Sequence, residues 1–96
     1  MRINLLGNDG VTADTEGDVI EPRTKLYRPG ITALVQVEHA GTADVAIQGR
    51  IDDTYAWVQL GDLFEADGAA EVVLFPQMRA VVTNYSAGTI RAALWA

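Results

Sequence analysis

A strict alternation of side-chain character between Asp44 and Leu60 constrains the fold of this chain more than any other feature. One parity is mostly apolar and the other is mostly polar: Val45, Ile47, Gly49 and Ile51 against Asp44, Ala46, Gln48, Arg50 and Asp52. A period of two is typical of a β-strand with one buried face. A turn at residues 52–54 and a second strand over Tyr55–Leu60 complete a predicted central β-hairpin.

The hairpin has one consistent register. Ile47 is predicted to lie opposite Leu60 and Gly49 opposite Val58. Arg50 then lies across from Trp57 on the other face of the hairpin, because directly paired residues share a face. The Trp57 ring is either partly exposed or buried against a second layer, and the sequence leaves this choice open.

The remainder of the chain from Ile31 onward is predicted to be β-structure. The further strand candidates are short and apolar or β-branched, and they are 32–38, 70–75, 78–85 and 89–95. Short strands at this spacing predict one all-β domain, an antiparallel β-sandwich over residues 31–96. Residues 1–30 are predicted to form a short strand followed by an irregular, extended arm. That arm is either a surface loop of the same domain or a segment that orders against a neighbouring subunit.

The last two strands are predicted to pair as a hairpin, with Tyr85 opposite Thr89 and Arg79 opposite Trp95. Arg79 is then predicted to stack on the Trp95 ring in a cation–π contact. One face of that hairpin is core: Ala80, Val82, Ala92 and Leu94. The other face presents a partly apolar stripe flanked by arginines: Val81, Tyr85, Ala93 and Trp95 with Arg79 and Arg91. We predict that this stripe contacts another molecule, since exposed apolar patches mark interaction sites. The alternative is that the protein's own arm covers it.

Composition excludes several classes of function. Seven basic and thirteen acidic residues give a net charge of −6, which is unsuited to binding nucleic acid or anionic membranes. The chain has no cysteine, a single histidine and a single serine, so neither a catalytic triad nor a zinc site is expected. It also has no apolar run long enough to span a membrane. His39 lies near a strand end, before Ala40 and Gly41, and is expected at the surface. We therefore predict no enzyme activity, no cofactor and no metal.

Two segments resemble motifs of a known class of protein. ADVAIQGRIDDTYAWVQL (43–60) is similar to a V-x-I-x-G-S-x-D-G-x-x-W-x-x-L pattern, with Arg50 at its serine and Asp53 at its turn glycine. PQMRAVVTNYSAGTIRAAL (76–94) is similar to a closing R-V-x-V-T-x-Y-x-x-G-T-V-x-V-x-L hairpin. Together they resemble small head decoration (cement) proteins of tailed bacteriophages and, more distantly, jelly-roll galactose-binding-like modules.

The resemblance implies a jelly-roll-like sandwich and a non-catalytic role in the virion. A decoration protein of this class would be made in the host cytoplasm, bind the major capsid protein on the outer head surface, and form a homo-oligomer, with a trimer favoured. The stripe on the last two strands would then contact another subunit or the capsid. The first alternative is a carbohydrate-binding module that uses Tyr55, Trp57 or Trp95 for stacking and the carboxylates of Asp52 and Asp53 for sugar hydroxyls. The second is an adaptor of the phage tail or connector.

Overall fold

The computed structural model describes residues 2–22, 32–39 and 41–95. These residues form eight strands: β1 (Arg2–Asn4), β2 (Thr15–Glu16), β3 (Thr32–His39), β4 (Thr42–Arg50), β5 (Val58–Gln59), β6 (Gly68–Val73), β7 (Gln77–Ala87) and β8 (Ile90–Trp95). Sheet A has the strand order β1-β8-β3-β6, and sheet B has the order β2-β7-β4-β5. All of these neighbours are antiparallel. This is the strand order of a jelly roll, which confirms the predicted β-sandwich.

Alternation along each strand builds a core between the two sheets. In β3, every second residue from Ala33 to His39 is buried and the residues between them are exposed. The same period holds in the central strand of sheet B, where Val45 and Ile47 are fully buried. The largest fully buried side chains come from both sheets, from the N-terminal segment and from the β6–β7 connection: Leu5, Ile47, Leu74, Met78, Ile90 and Leu94. The fold is therefore held by face-to-face burial of two apolar layers.

The described part of the N-terminal segment lies on the chain's own sandwich. β1 pairs with β8 at one edge of sheet A, and β2 pairs with β7 at one edge of sheet B. Between and beyond them the backbone is irregular, with single bridges from Val11 to Ile90 and from Ile20 to Met78. Leu5 and its neighbour Leu6 are buried in the core. Residues 2–22 are therefore part of the domain, while residues 23–30 of the predicted arm lie outside the described residues.

The register predicted for the central hairpin is confirmed. Gly49 pairs with Val58, and the backbone N–H of Leu60 donates to the carbonyl of Ile47 at 2.7 Å. The second strand is shorter than predicted, because only Val58 and Gln59 pair with β4. Ile51 is exposed rather than buried, since β4 ends one residue before it and the alternation ends there.

The predicted pairing of the last two strands is wrong. β7 belongs to sheet B and pairs with β4, whereas β8 belongs to sheet A and pairs with β3. The inward parity of both strands is nevertheless confirmed, since Ala80, Val82, Ala92 and Leu94 are buried. Each strand buries these side chains against the opposite sheet, which a flat two-stranded ribbon cannot do. Alternation specifies the buried face of a strand but does not specify its neighbours.

A break in alternation near the end of β7 moves Tyr85 off the outer surface. Asn84 has a φ of 54°, and the β4–β7 register shifts between Thr42 and Asp44. Such a bulge re-aims the following side chain. Tyr85 accordingly packs against the core, and its hydroxyl donates to the carbonyl of Gly88 at 2.6 Å. The prediction that Tyr85 faces outward is wrong for this reason.

Replacing Leu5 by alanine tests whether the N-terminal segment is part of the core. Leu5 is 1% exposed, and a Leu→Ala change at such a site costs about 2–5 kcal/mol of unfolding free energy. Val19→Ala is the matched control, because Val19 is 47% exposed in the same segment and should change stability by less than about 0.5 kcal/mol. Urea unfolding measures both variants. Equal stability of the Leu5 variant and the wild type would contradict the docking of this segment.

Candidate functional site

The six residues of the predicted contact stripe do not share one surface. Two lie on the outer face of sheet B, three lie on the outer face of sheet A, and one is the partly buried tyrosine of β7: Arg79 and Val81; Arg91, Ala93 and Trp95; and Tyr85. The separation follows from the placement of β7 and β8 in opposite sheets. The molecule therefore has two candidate interaction faces, one on each side of the sandwich.

On sheet B, two arginines lie over the Trp57 ring. The Cζ atom of Arg50 is 4.2 Å from the ring centroid, and that of Arg79 is 4.5 Å from it. The hairpin register places Arg50 opposite Trp57, and β7 brings Arg79 next to Gln48 of β4. The predicted stacking of Arg79 on Trp95 is therefore wrong, because Arg79 stacks on Trp57 instead. A cation–π contact of this kind contributes about 0.5–1 kcal/mol at an exposed site.

Hydrogen bonds hold both guanidinium groups in place. The Nε–H of Arg50 donates to Gln77 Oε1, and the Nε–H of Arg79 donates to Gln48 Oε1, both at 2.7 Å. Each glutamine lies directly across the β4–β7 ladder from the arginine that it binds. A further contact comes from β2, where Glu16 lies 3.4 Å from an Arg79 nitrogen. We call Arg50, Trp57 and Arg79, with their partners Gln48 and Gln77, the Trp57 cluster.

The Trp57 cluster has the composition of an interaction hot spot. Tryptophan, tyrosine and arginine are the residues most enriched where protein interfaces gain their binding energy. Arg79 is already fixed, with a side chain that is only 17% exposed, so it loses little conformational freedom on binding. Exposed Ile51, Tyr55 and Val58 lie in or beside the same β4–β5 hairpin. The arrangement suits contact with a protein surface.

Of the residues predicted as a sugar platform, Asp52 and Trp57 are engaged in contacts within the chain. Asp52 Oδ1 accepts hydrogen bonds from the backbone N–H of Thr54 at 2.9 Å and from its hydroxyl at 2.5 Å. The Trp57 ring is half-buried beneath the arginines, while Tyr55 and Asp53 are exposed in the adjacent turn. A stacking platform needs a bare aromatic face and carboxylate oxygens that are free for hydroxyls. In this turn Tyr55 and Asp53 are available to a sugar, whereas Asp52 and Trp57 already contact other residues of the chain.

The second face is the outer side of sheet A. Trp95 is 60% exposed there, and Leu34 lies beside it on β3. Arg2 flanks Trp95 on β1, and Glu71 flanks Leu34 on β6. Further along the strands, Arg91 of β8 and Glu38 of β3 form an ion pair at 3.3 Å beside a groove. This face combines an apolar centre with charges of both signs.

His39 is buried, so its predicted surface position is wrong. The parity of β3 continues through it, and its Nε2 lies 2.7 Å from the carbonyl oxygen of Ala43. Because a carbonyl only accepts, Nε2 carries the proton and Nδ1 is left without a partner among the described residues. The backbone N–H of His39 donates to Asp67. The imidazole thus anchors the β3–β4 connection.

The described residues contain no group of three His, Asp or Glu side chains placed to hold a metal ion. They also include no helix with the length and apolar character needed to cross a membrane. Comparison with protein-family models, with curated proteins and with solved structures gave no match. The function is therefore argued from the two outer faces alone.

The Asp52 turn generates a prediction that proton titration can test. The hydrogen bonds from Thr54 hold the pKa of Asp52 below its ordinary value of 3.8, and the nearby Arg50 charge acts in the same direction. Because the pKa of Asp52 is lower in the folded state, its ionised carboxylate stabilises the fold. This stabilisation is complete above pH 3.8 and is lost as the pH falls through the folded-state pKa. Thr54→Val should raise the titration midpoint of Asp52, measured by carboxyl ¹³C NMR, whereas Thr54→Ser keeps the hydroxyl and should leave it low. An unchanged midpoint in the valine variant would contradict the assigned hydroxyl bond.

Proposed function

We propose that this chain is a non-enzymatic virion structural protein, a decoration protein that binds coat subunits on the outer surface of a phage head. The Trp57 cluster on sheet B is the observation that carries the proposal. It provides a half-buried tryptophan and two arginines that are already held in position before any partner binds. Rigid aromatic and arginine anchors of this kind supply most of the binding energy in protein interfaces.

A rigid sandwich suits the mechanical task of a decoration protein. Binding to the assembled shell but not to separated coat subunits stabilises the shell by mass action. The sandwich buries its own core completely, so the binding energy is not consumed in ordering the chain. A net charge of −6 suits the outside of a head, because an acidic protein gains nothing from contact with packaged DNA.

The two alternatives are separable on structural grounds. A sugar that stacks on Trp57 would compete with the two arginines over its ring, so the observed contacts favour protein binding over glycan binding there. A tail or connector adaptor would use the same Trp57 cluster on a different partner. That alternative predicts binding at a single vertex or along the tail instead of over the whole head.

Binding to empty shells of the coat protein encoded in the same genome tests the proposal. The purified chain should cosediment with these shells at saturable stoichiometry, and gold-labelled chain should cover the head in electron micrographs. Trp57→Ala removes a hot-spot anchor and should weaken binding by about 2 kcal/mol or more, which is roughly 30-fold in Kd. Arg50→Glu should weaken it to a similar extent, because it places a negative charge in the Trp57 cluster.

Ser86→Ala is the matched control for this experiment. Ser86 is exposed near the far end of β7, away from Arg79 and the Trp57 cluster, and its loss should leave the Kd unchanged. Thermal unfolding of each variant separates lost binding from lost folding. Absence of binding by the folded wild type, or full binding by a folded Trp57→Ala variant, would contradict the proposal. Label confined to one vertex would support the connector alternative.

A further inference from the structure

We infer that the outer face of sheet A binds the same face of a second copy of this chain, related by a two-fold axis that runs along the strands. The inference begins with one row of side chains across the sheet. Strand registers align it in the order Arg2, Trp95, Leu34 and Glu71, from the β1 edge to the β6 edge. The row is basic at one edge, apolar in the middle and acidic at the other edge.

A two-fold rotation about the strand direction makes this row complementary to itself. The rotation reverses the row from left to right and preserves its position along the strands. Arg2 then faces Glu71 of the second copy, and Trp95 faces Leu34 of the second copy. Each contact occurs twice, as in any isologous interface.

The row that contains the ion pair obeys the same rotation. Arg91 and Glu38 lie directly across from each other on β8 and β3, on either side of the proposed axis. After rotation Arg91 faces Glu38 of the second copy, so four charges alternate in sign around a square. The row between the charged and apolar rows carries the small side chains Ala93 and Ala69, with Asn4 and Gln36, and allows close approach.

A two-fold axis in the plane of the interface can run either along the strands or perpendicular to them. The charge pattern favours the axis along the strands. A two-fold axis perpendicular to the strands would place Arg2 over Arg2 and Glu71 over Glu71, which like-charge repulsion disfavours. Neither Arg2 nor Glu71 forms an ion pair within the described part of the chain. Adjacent strands lie about 4.8 Å apart, so the two residues are roughly 14 Å apart in one sheet and are too distant to pair with each other.

Sheet packing geometry is compatible with these contacts. Two aligned sheets pack about 10 Å apart and cross at about 30°, which displaces the edge of each row by roughly 4 Å relative to the row that faces it. Arginine and glutamate side chains are long enough to span that offset. The four strands cover only about 300–400 Å² in plan, which is below the roughly 800 Å² per partner of a standard interface. We therefore expect a weak, reversible dimer.

Pairing through sheet A leaves both Trp57 clusters exposed on opposite sides of the dimer. On the proposed function, one dimer then presents two coat-binding faces that point in opposite directions, so it bridges two neighbouring coat subunits by standing between them. This consequence rests on the proposed function, whereas the dimer itself does not. The two-fold dimer differs from the trimer that the family resemblance favours, and the two assemblies differ in mass by one chain.

Complementary charge reversals test the pairing in the isolated chain. Arg2→Glu makes both row ends acidic, and Glu71→Arg makes both basic, so each variant alone should be repelled from itself. By sedimentation velocity of untagged protein, the wild type should dimerise, and each single variant should dimerise at least about tenfold more weakly. An equimolar mixture of the two variants, and the double variant R2E/E71R, should both recover the wild-type Kd. Trp95→Ala should weaken the dimer, while Tyr55→Ala, which removes a similarly exposed aromatic from the β4–β5 turn, should not.

Each contrary outcome overturns the inference. These are a monomeric or trimeric wild type at high concentration, a dimer unaffected by the single reversals, and variants that fail to recover on mixing. Thermal unfolding confirms that every variant is folded, and recovery on mixing cannot come from a misfolded chain. The assay contains no coat protein, so its failure leaves coat binding through the Trp57 cluster standing. Failure of coat binding likewise leaves a measured dimer intact.

Discussion

The pairing of β4 with β7 at the centre of sheet B is the interaction on which the rest of the structure depends. These are the longest strands, with nine and eleven residues, and both contribute fully buried side chains to the core. Their register also sets the outer surface, since it places Gln48 beside Arg79 and Arg50 beside Gln77. A one-residue slip in this register would turn every side chain of one strand to the other face. It would expose the core and, at the same time, separate the residues of the Trp57 cluster.

Glycine at position 49 is part of the same constraint. A Cβ atom there would lie 2.7 Å from the ring of Phe75, closer than any side chain tolerates. The contact closes the sandwich directly beneath Arg50, so the strand that carries the arginine is backed by a packed aromatic. Core and surface are therefore coupled at this point, because the close approach that seals the interior also fixes the backbone from which Arg50 and Gln48 project.

Local sequence patterns predicted the features of the fold that depend on neighbouring residues, such as the register of the central hairpin. The central hairpin has a short turn that limits its register, so the opposition of Arg50 and Trp57 could be inferred before the structure was known. The β7–β8 pairing failed because neighbours in a sandwich are chosen by burial across the core, which a period of two does not encode. The αL conformation of Asn84 added a local inversion that moved Tyr85 inward. His39 was the avoidable error, since continuing the alternation of β3 by one step places it inside.

The edges of the sandwich explain why association should occur through faces. Three of the four edge strands are two or three residues long, and such edges give little template for pairing with another chain. The arginines of the described residues lie instead on the two outer faces, with Arg2 and Arg91 on sheet A and Arg50 and Arg79 on sheet B. In a chain with a net charge of −6, copies repel one another unless a basic group of one meets an acidic group of the next. On the outer face of sheet A, the arginines and glutamates of one copy meet groups of opposite charge on a second copy. The sheet B arginines, held by their glutamine and glutamate partners, stay on the other side of the dimer and face a partner of different composition.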